Sequence, residues 1–363
     1  LRITRDRGSA RAGRVTVGHP GAVRTRAAGF GTMGQVNLYL LATDGAVASA
    51  DRPSIERLLK DDKLLWLDLE GKGAEGAALL RDVFDLHPLA LEDVEEFGQR
   101  PKIEDFGDVS YLVAYGAKGA TEELVEVHCF YSEHYVITVR QEPCAVLDEL
   151  RKTFGQPGGA LSVQSASRRP RPIRLILLHH VMDSLVDSFF PALSDFDDRI
   201  DDLQQQIFAK PGDEQLSQLF AMQKWLVGLR KLVTPQRDSM ASLVAGVTSL
   251  PGMTPEGEPY LRDLYDHLIR ISDLVDSYRD LLSNAMDAYL SIVSNRLNEV
   301  MKQLTVIATI FLPLSFLTGF FGQNFGWMVN RLGSLPTFLL LGMGTEILAA
   351  AGLFTLFRRR GWS

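Results

Sequence analysis

Residues 318 to 328 read TGFFGQNFGWM, with two adjacent amides, Gln323 and Asn324, set between Gly322 and Gly326 and beside Phe325 and Trp327. Neutral amide oxygens accept hydrogen bonds from the water shell of an ion that dehydrates reluctantly, and they hold it less firmly than carboxylates would. The same two amides could instead cap a membrane helix at the interface, with Trp327 as its anchor. Glu92 and Asp93 in HPLALEDVEE follow Pro88, near the positive end of a helix dipole, and taken alone they are a favourable helix start. His179, His180 and His267 are possible metal ligands, but isolated histidines on helices read as packing or surface residues. Glu346 stands alone in an uncharged run. A carboxylate there costs roughly 3 kcal/mol if charged at mid-depth, so it reads as a proton site or as a protonated packing residue. No nucleophile–base motif, Walker loop or Gly-rich cofactor turn occurs, which counts against an enzyme.

The elements that must position these residues divide at about residue 300. Gln303 to Gln323 is a run of 21 uncharged residues, and Leu335 to Phe357 carries one charge, Glu346. At about 1.5 Å per residue each run spans roughly 30 Å, the thickness of a hydrocarbon core, and the alternative is a buried soluble hairpin. The runs predict membrane helices over 303–325 and 335–357, joined by an external loop 326–334 and followed by a basic tail 358–363. Arg358, Arg359 and Arg360 follow the second run and Arg296 and Lys302 precede the first, whereas the link holds only Arg331. The positive-inside bias therefore puts both termini in the cytoplasm and turns the amide pair outward, in a multi-pass protein of the cytoplasmic (inner) membrane. No secretory signal precedes the soluble part, so Cys129 and Cys144 are expected as buried free thiols.

The net charge of −7 is unevenly spread: residues 1–34 carry seven Arg and one Asp, which leaves −13 for the rest. The basic stretch 1–34 has the composition of a disordered tail, with a nucleic-acid- or lipid-binding tail as the alternative. Residues 35–153 alternate β-branched or aromatic runs (VNLYLL, LLWLDL, VSYLVAY, LVEVHCFY, HYVITV) with short helical patterns, the signature of an α/β domain. Residues 154–172 have the Gly, Ser and Pro content of a linker. Residues 173–302 are helical, with an interruption at Pro191 and seven Asp against one Arg between 183 and 202. After the break from Pro251 to Pro259, a single helix can run from Tyr260 to Phe311, as a stalk entering the membrane directly. A helix of that length must bury a face against other helices or chains.

At this point the sequence resembles the CorA-type divalent metal ion transporters. NRLNEVMKQLTVIATIFLPLSFLTGFFGQNF is similar to that family's stalk end and first membrane helix, and its Gly-Met-Asn signature falls on Gly322, Gln323 and Asn324. HPLALEDVEEFGQRPKIEDF and YLRDLYDHLIRISDLVDSYRDLLSNAMDAYLSIVSNRLNEVM extend the match over all but the basic tail. The resemblance implies an α+β chain with an N-terminal cytoplasmic α/β domain, a long helical stalk and two C-terminal transmembrane helices, assembled as a funnel-shaped homopentamer in a lipid bilayer. It implies a pore lined by Asn298, Met301, Leu304, Ala308, Leu312 and Ser315, with the apolar members forming a constriction. A regulatory metal site between subunits is implied at Asp93 and Asp287, assisted by Glu92. The implied ions are Mg2+, with Co2+ or Ni2+ as further substrates; nucleic acid is not expected as a partner. Two departures temper this: the signature Met is Gln323, and the loop GWMVNRLGS carries Arg331 and no carboxylate. The missing loop acids make the outer mouth less cation-attracting, the varied middle residue is shared with the ZntB-like, Zn2+-handling branch, and Glu346 as a proton site would suit coupled transport. A ZntB-like proton-coupled Zn2+ transporter is thus an alternative, and a non-conducting metal-sensing membrane protein is a further one.

Overall fold

The computed structural model describes residues 37–42, 51–71, 73–154, 173–323 and 326–359. The stretch 1–34, nearly all of the linker 154–172 and Asn324 lie outside the described residues.

The N-terminal part is built on six strands: β1 (Asn37–Ala42), β2 (Leu65–Glu70), β3 (Lys102–Asp105), β4 (Val109–Ala117), β5 (Leu124–Ser132) and β6 (Tyr135–Arg140). They form one sheet in the order β1-β2-β6-β5-β4-β3. Only the β2–β6 pair is parallel, so the sheet is mixed. Strands β4, β5 and β6 are buried along almost their whole length, which is why their apolar runs are continuous rather than alternating. Helices α1 (Arg52–Lys60), α2 (Ala74–Asp82), α3 (Pro88–Glu95) and α4 (Ala145–Phe154) connect or flank the strands. Asp51 caps α1 by accepting the Ser54 N–H at 2.9 Å, and Pro88 opens α3 where its missing N–H costs nothing.

Helices α5 (Ile173–Asp187), α6 (Phe189–Ala209), α7 (Asp213–Val244) and α8 (Glu258–Phe321) make the helical part. The interruption falls at Ser188, not at Pro191, which sits harmlessly in the first turn of α6. Ser188 explains the break: its hydroxyl donates to the Leu185 carbonyl at 2.5 Å and accepts the Ala117 N–H of β4 at 2.7 Å. A side chain on Gly116 would come within 2.9 Å of the Leu185 carbonyl, so sheet and helix approach as closely as a glycine permits. Gln236 of α7 makes a second tie, accepting the Tyr115 N–H at 2.9 Å and donating to the Tyr115 carbonyl at 3.4 Å, in the manner of an added strand.

Helix α8 has 64 residues and continues through Pro313, ten residues beyond the expected Phe311. At 1.5 Å per residue it is about 96 Å long. Thr305, Thr309 and Thr318 return their hydroxyls to carbonyls four residues back at 2.6–2.7 Å, keeping their polar groups satisfied within the apolar stretch. After α9 (Gly326–Leu332) a second apolar arm, α10, runs over Leu335–Arg359 and contains a π-helical segment at Phe338–Met343. The α/β domain, long helix and two C-terminal apolar helices agree with the sequence reading. The short strand β3 was not anticipated; its Lys102-Ile103-Glu104-Asp105 carries too little apolar content to announce a strand.

Candidate functional site

The buried face of α8 runs Leu261, Leu264, Leu268, Ile271, Val275, Leu282, Ala285 and Tyr289, then stops. Beyond it, Val293, Leu297, Met301, Leu304, Leu312 and Phe316 are exposed although apolar. Exposed apolar surface on this scale within one chain calls for lipid or further copies of the chain.

The residues expected to line a pore all lie on one exposed face: Asn298, Met301, Leu304, Ala308, Leu312 and Ser315. Half-buried positions are Val306, Ile310, Pro313, Leu314, Leu317 and Phe321, where α10 packs against α8. Val306 follows Leu304 by two residues, Ile310 follows Ala308 by two and Leu314 follows Leu312 by two. At 100° per residue the shielded set therefore lies about 200° around the helix from the exposed set. Met301, Leu304, Ala308, Leu312 and Ser315 thus point away from the second arm.

At the end of α8 the Gly322 N–H donates to the Thr318 carbonyl at 2.9 Å and the Gln323 N–H to the Phe320 carbonyl at 3.3 Å. Gln323 is exposed. Gly322 has φ −78°, which any residue can adopt, so conformational freedom is not what the glycine supplies. It supplies room: a Cβ there would lie 3.1 Å from the Thr318 carbonyl oxygen. Glu346 of α10 reaches Thr318, whose Oγ1 lies 3.2 Å from its carboxyl.

In the α/β domain Asp93 on α3 is paired with Lys102 at 2.7 Å, and Lys102 also binds Glu104 at 2.8 Å. Glu92 and, on α8, Asp287 are exposed. Among the described residues no hydrogen bond or ion pair joins Asp93, Glu92 and Asp287 within one chain.

A different set of ligands does converge. His179, Asp183 and Asp187 of α5 face Asp263 and His267 of α8, in two groups, His179–Asp183–Asp263 and Asp183–Asp187–His267. Within each group the potential ligand atoms all lie within 4.8 Å of one another. The Asp263 carboxylate lies 3.2 Å from His179 Nε2, and Asp187 lies 2.8 Å from His267 Nδ1. Burial and the neighbouring Asp187 hold the Asp183 carboxyl above the usual aspartate range, as expected where carboxylates meet without a cation. His179 and His267 are therefore not isolated, since each faces an aspartate, although His179 also packs edge-on against Tyr260 at 5.3 Å, as His180 does against Phe154 at 5.4 Å. The signal was in the Asp183–Asp187 spacing of four residues, but nothing local said that α8 would face it.

The two cysteines are free and buried, as expected, and burial pushes the Cys129 thiol up to about 12.

Residues 61–359 match the family described as CorA-like Mg2+ transporter protein. The cobalt/magnesium transport protein CorA of Thermotoga maritima is 35% identical over 268 residues, covering 72% of this chain and 74% of that protein. The zinc transport protein ZntB of Klebsiella pneumoniae is 26% identical over 280 residues, covering 74% of this chain and 79% of that one. The complete structure of the CorA magnesium transporter from Methanocaldococcus jannaschii superposes with a TM-score of 0.74 at 21% identity, covering 91% of this chain and 100% of that chain, which shows the shared fold. With its long stalk, its two apolar C-terminal helices and a family match over most of its length, the chain belongs to the CorA-like Mg2+ transporter family, as a membrane transporter of divalent cations and not an enzyme.

Proposed function

We propose that this chain assembles as a homopentamer in the cytoplasmic membrane, with both termini inside, and conducts hydrated Mg2+, with Co2+ or Ni2+ as further substrates. The observation that carries this reading is the exposed face of α8 from Met301 to Ser315, pointing away from α10 and ending at Gly322 and Gln323. A two-helix hairpin has no room for a conduit, so a pore needs several copies around an axis, each presenting that face inward. At its mouth a ring of Asn324 accepts hydrogen bonds from the ion's water shell, with Gln323 beside it. Leu304 and Leu312, with Met301, form a constriction that gates by dewetting, and Asn298 and Ser315 are polar resting points. Cytoplasmic ion acts as a brake. Asp93 and Asp287 of neighbouring subunits, with Glu92, bridge through a divalent ion in the closed state, and the α5–α8 cluster around Asp183 and His267 offers a second seat. Zinc is the alternative cargo, favoured by the resemblance to ZntB and by Gln323 in place of the signature Met.

The test is flux into liposomes holding the purified chain, with Mg2+, Zn2+, Co2+ and Ni2+ supplied in turn. Mg2+ flux that Asn324→Ala abolishes without disassembly is the expected result. Zinc flux alone overturns the magnesium reading, and flux of none overturns conduction.

A further inference from the structure

Thr318 and Glu346 meet across the membrane hairpin, and the hydrogens at their contact can be counted. The Thr318 hydroxyl lies 2.6 Å from the Leu314 carbonyl oxygen and 3.2 Å from Glu346 Oε1. A hydroxyl has one hydrogen and a carbonyl has none, so the shorter contact takes the hydrogen of Thr318. The longer contact then either shares that one hydrogen in a three-centre bond or receives a hydrogen from the carboxyl. Glu346 is the only titratable side chain between Leu335 and Phe357, and none occurs between Gln303 and Gln323 on the helix it faces. The nearest charged positions along the chain, Arg331 in the link and Arg358 after the second run, lie outside these runs. No cation within either run is available to hold a carboxylate, and acids in such places are retained for paired or functional roles.

We propose that Glu346 binds a proton and donates it to Thr318 Oγ1, forming a latch that holds the second membrane helix against the end of the first. The Thr318 carbonyl accepts the Gly322 N–H at 2.9 Å, so the residue Glu346 grips also closes the helix beneath Gly322 and Gln323. Loss of the proton to water weakens that contact and leaves a charge with no cation in either run, and the two arms part just below the mouth. The bound species is a proton in exchange with the aqueous phase; no other reactant takes part. The consequence for flux rests on the transporter reading, whereas the latch itself does not.

Infrared difference spectroscopy on the reconstituted full-length chain tests the latch without reference to transport. At neutral pH the parent should show a protonated-carboxyl stretch that shifts in deuterated water, is absent from Glu346→Gln, and moves in Thr318→Val. Flux should fall as pH rises through the titration of that band. Glu346→Gln, whose amide can donate the same hydrogen bond, should give a flat profile. Absence of the band, a band unmoved by Thr318→Val, or a parental pH profile in Glu346→Gln each overturns the proposal. A band in a chain that carries no ion supports the latch and overturns the transporter reading instead.

Discussion

Replacing Asp183 by Asn removes one of the carboxylates that α5 and α8 hold against each other without a cation. Its ligand oxygen lies within 4.8 Å of an Asp187 carboxylate oxygen and of a His267 ring nitrogen. Two unit charges 4.8 Å apart repel by about 3.5 kcal/mol at an effective dielectric of about 20 and by about 0.9 kcal/mol in bulk water. Asp187 is 47% exposed, so screening puts the relief near the lower value, about 1 kcal/mol. Without divalent ion, Asp183→Asn should therefore melt higher than the parent, by roughly 2–4 °C for a body of this size. With ion the order should reverse. The parent gains about 2.7 kcal/mol when the ion stands at about 100 times its Kd, and the variant gains less for want of a ligand oxygen. The pH dependence has a fixed sign. Because the Asp183 carboxyl titrates above the usual aspartate range, the folded chain keeps that proton to higher pH than the unfolded chain. The metal-free parent thus loses stability as pH rises through the folded titration, whereas the Asp183→Asn variant does not, and ion binding strengthens over the same interval. The assay is thermal unfolding of the detergent-solubilised chain, followed by circular dichroism, with chelator and then with Mg2+ or Co2+. A parent whose melting point ignores the ion, or an ion-free variant that melts lower than the parent, would refute the reasoning.

Three further outcomes are expected. Arg140→Met should destabilise the α/β domain by about 3–5 kcal/mol, because Arg140 is fully buried and holds Asp68 at 3.0 Å, Glu70 at 2.9 Å and Asp148 at 2.8 Å; a denaturant midpoint like the parent's would show that Arg151, 3.1 Å from Asp68, suffices. Leu304→Asn should wet the constriction and raise leak in single-channel or liposome recordings, and unchanged conductance would place the gate elsewhere. Gln323→Met should weaken the apparent affinity for the transported ion several-fold if its amide faces the path, a loss of about 1 kcal/mol, and an identical concentration dependence of flux would make Gln323 structural.

The sequence by itself determined the gross plan. Two runs long enough to cross a bilayer, one uncharged and one with Glu346 as its single charge, a proline-free stretch before the first, and β-branched runs in the N-terminal half are local properties, and each survives in the structure, in α8, α10 and strands β2, β4, β5 and β6. The glycine-flanked amides stood out in the sequence because the family pattern is contiguous there, although Asn324 lies outside the described residues. Other features were not legible, since each depends on a partner remote in the chain. Periodicity could not tell the faces of α8 apart when nearly every residue from Leu304 to Phe321 is apolar; the packing of α10 sets one of them apart, by shielding Val306, Ile310 and Leu314. His267 looked solitary until α5 brought Asp183 and Asp187 to it, 80 and more residues away in sequence. Pro191 looked like the break in the helices, yet the break belongs to Ser188, whose hydroxyl answers a backbone N–H on β4. Glu346 had no visible partner until Thr318 met it across the hairpin. Periodicity and charge are summed along the chain, so the sequence displays them. Which face is covered, which acid meets which histidine and which hydroxyl meets a carboxyl are set by contacts between segments, and only the folded chain contains them.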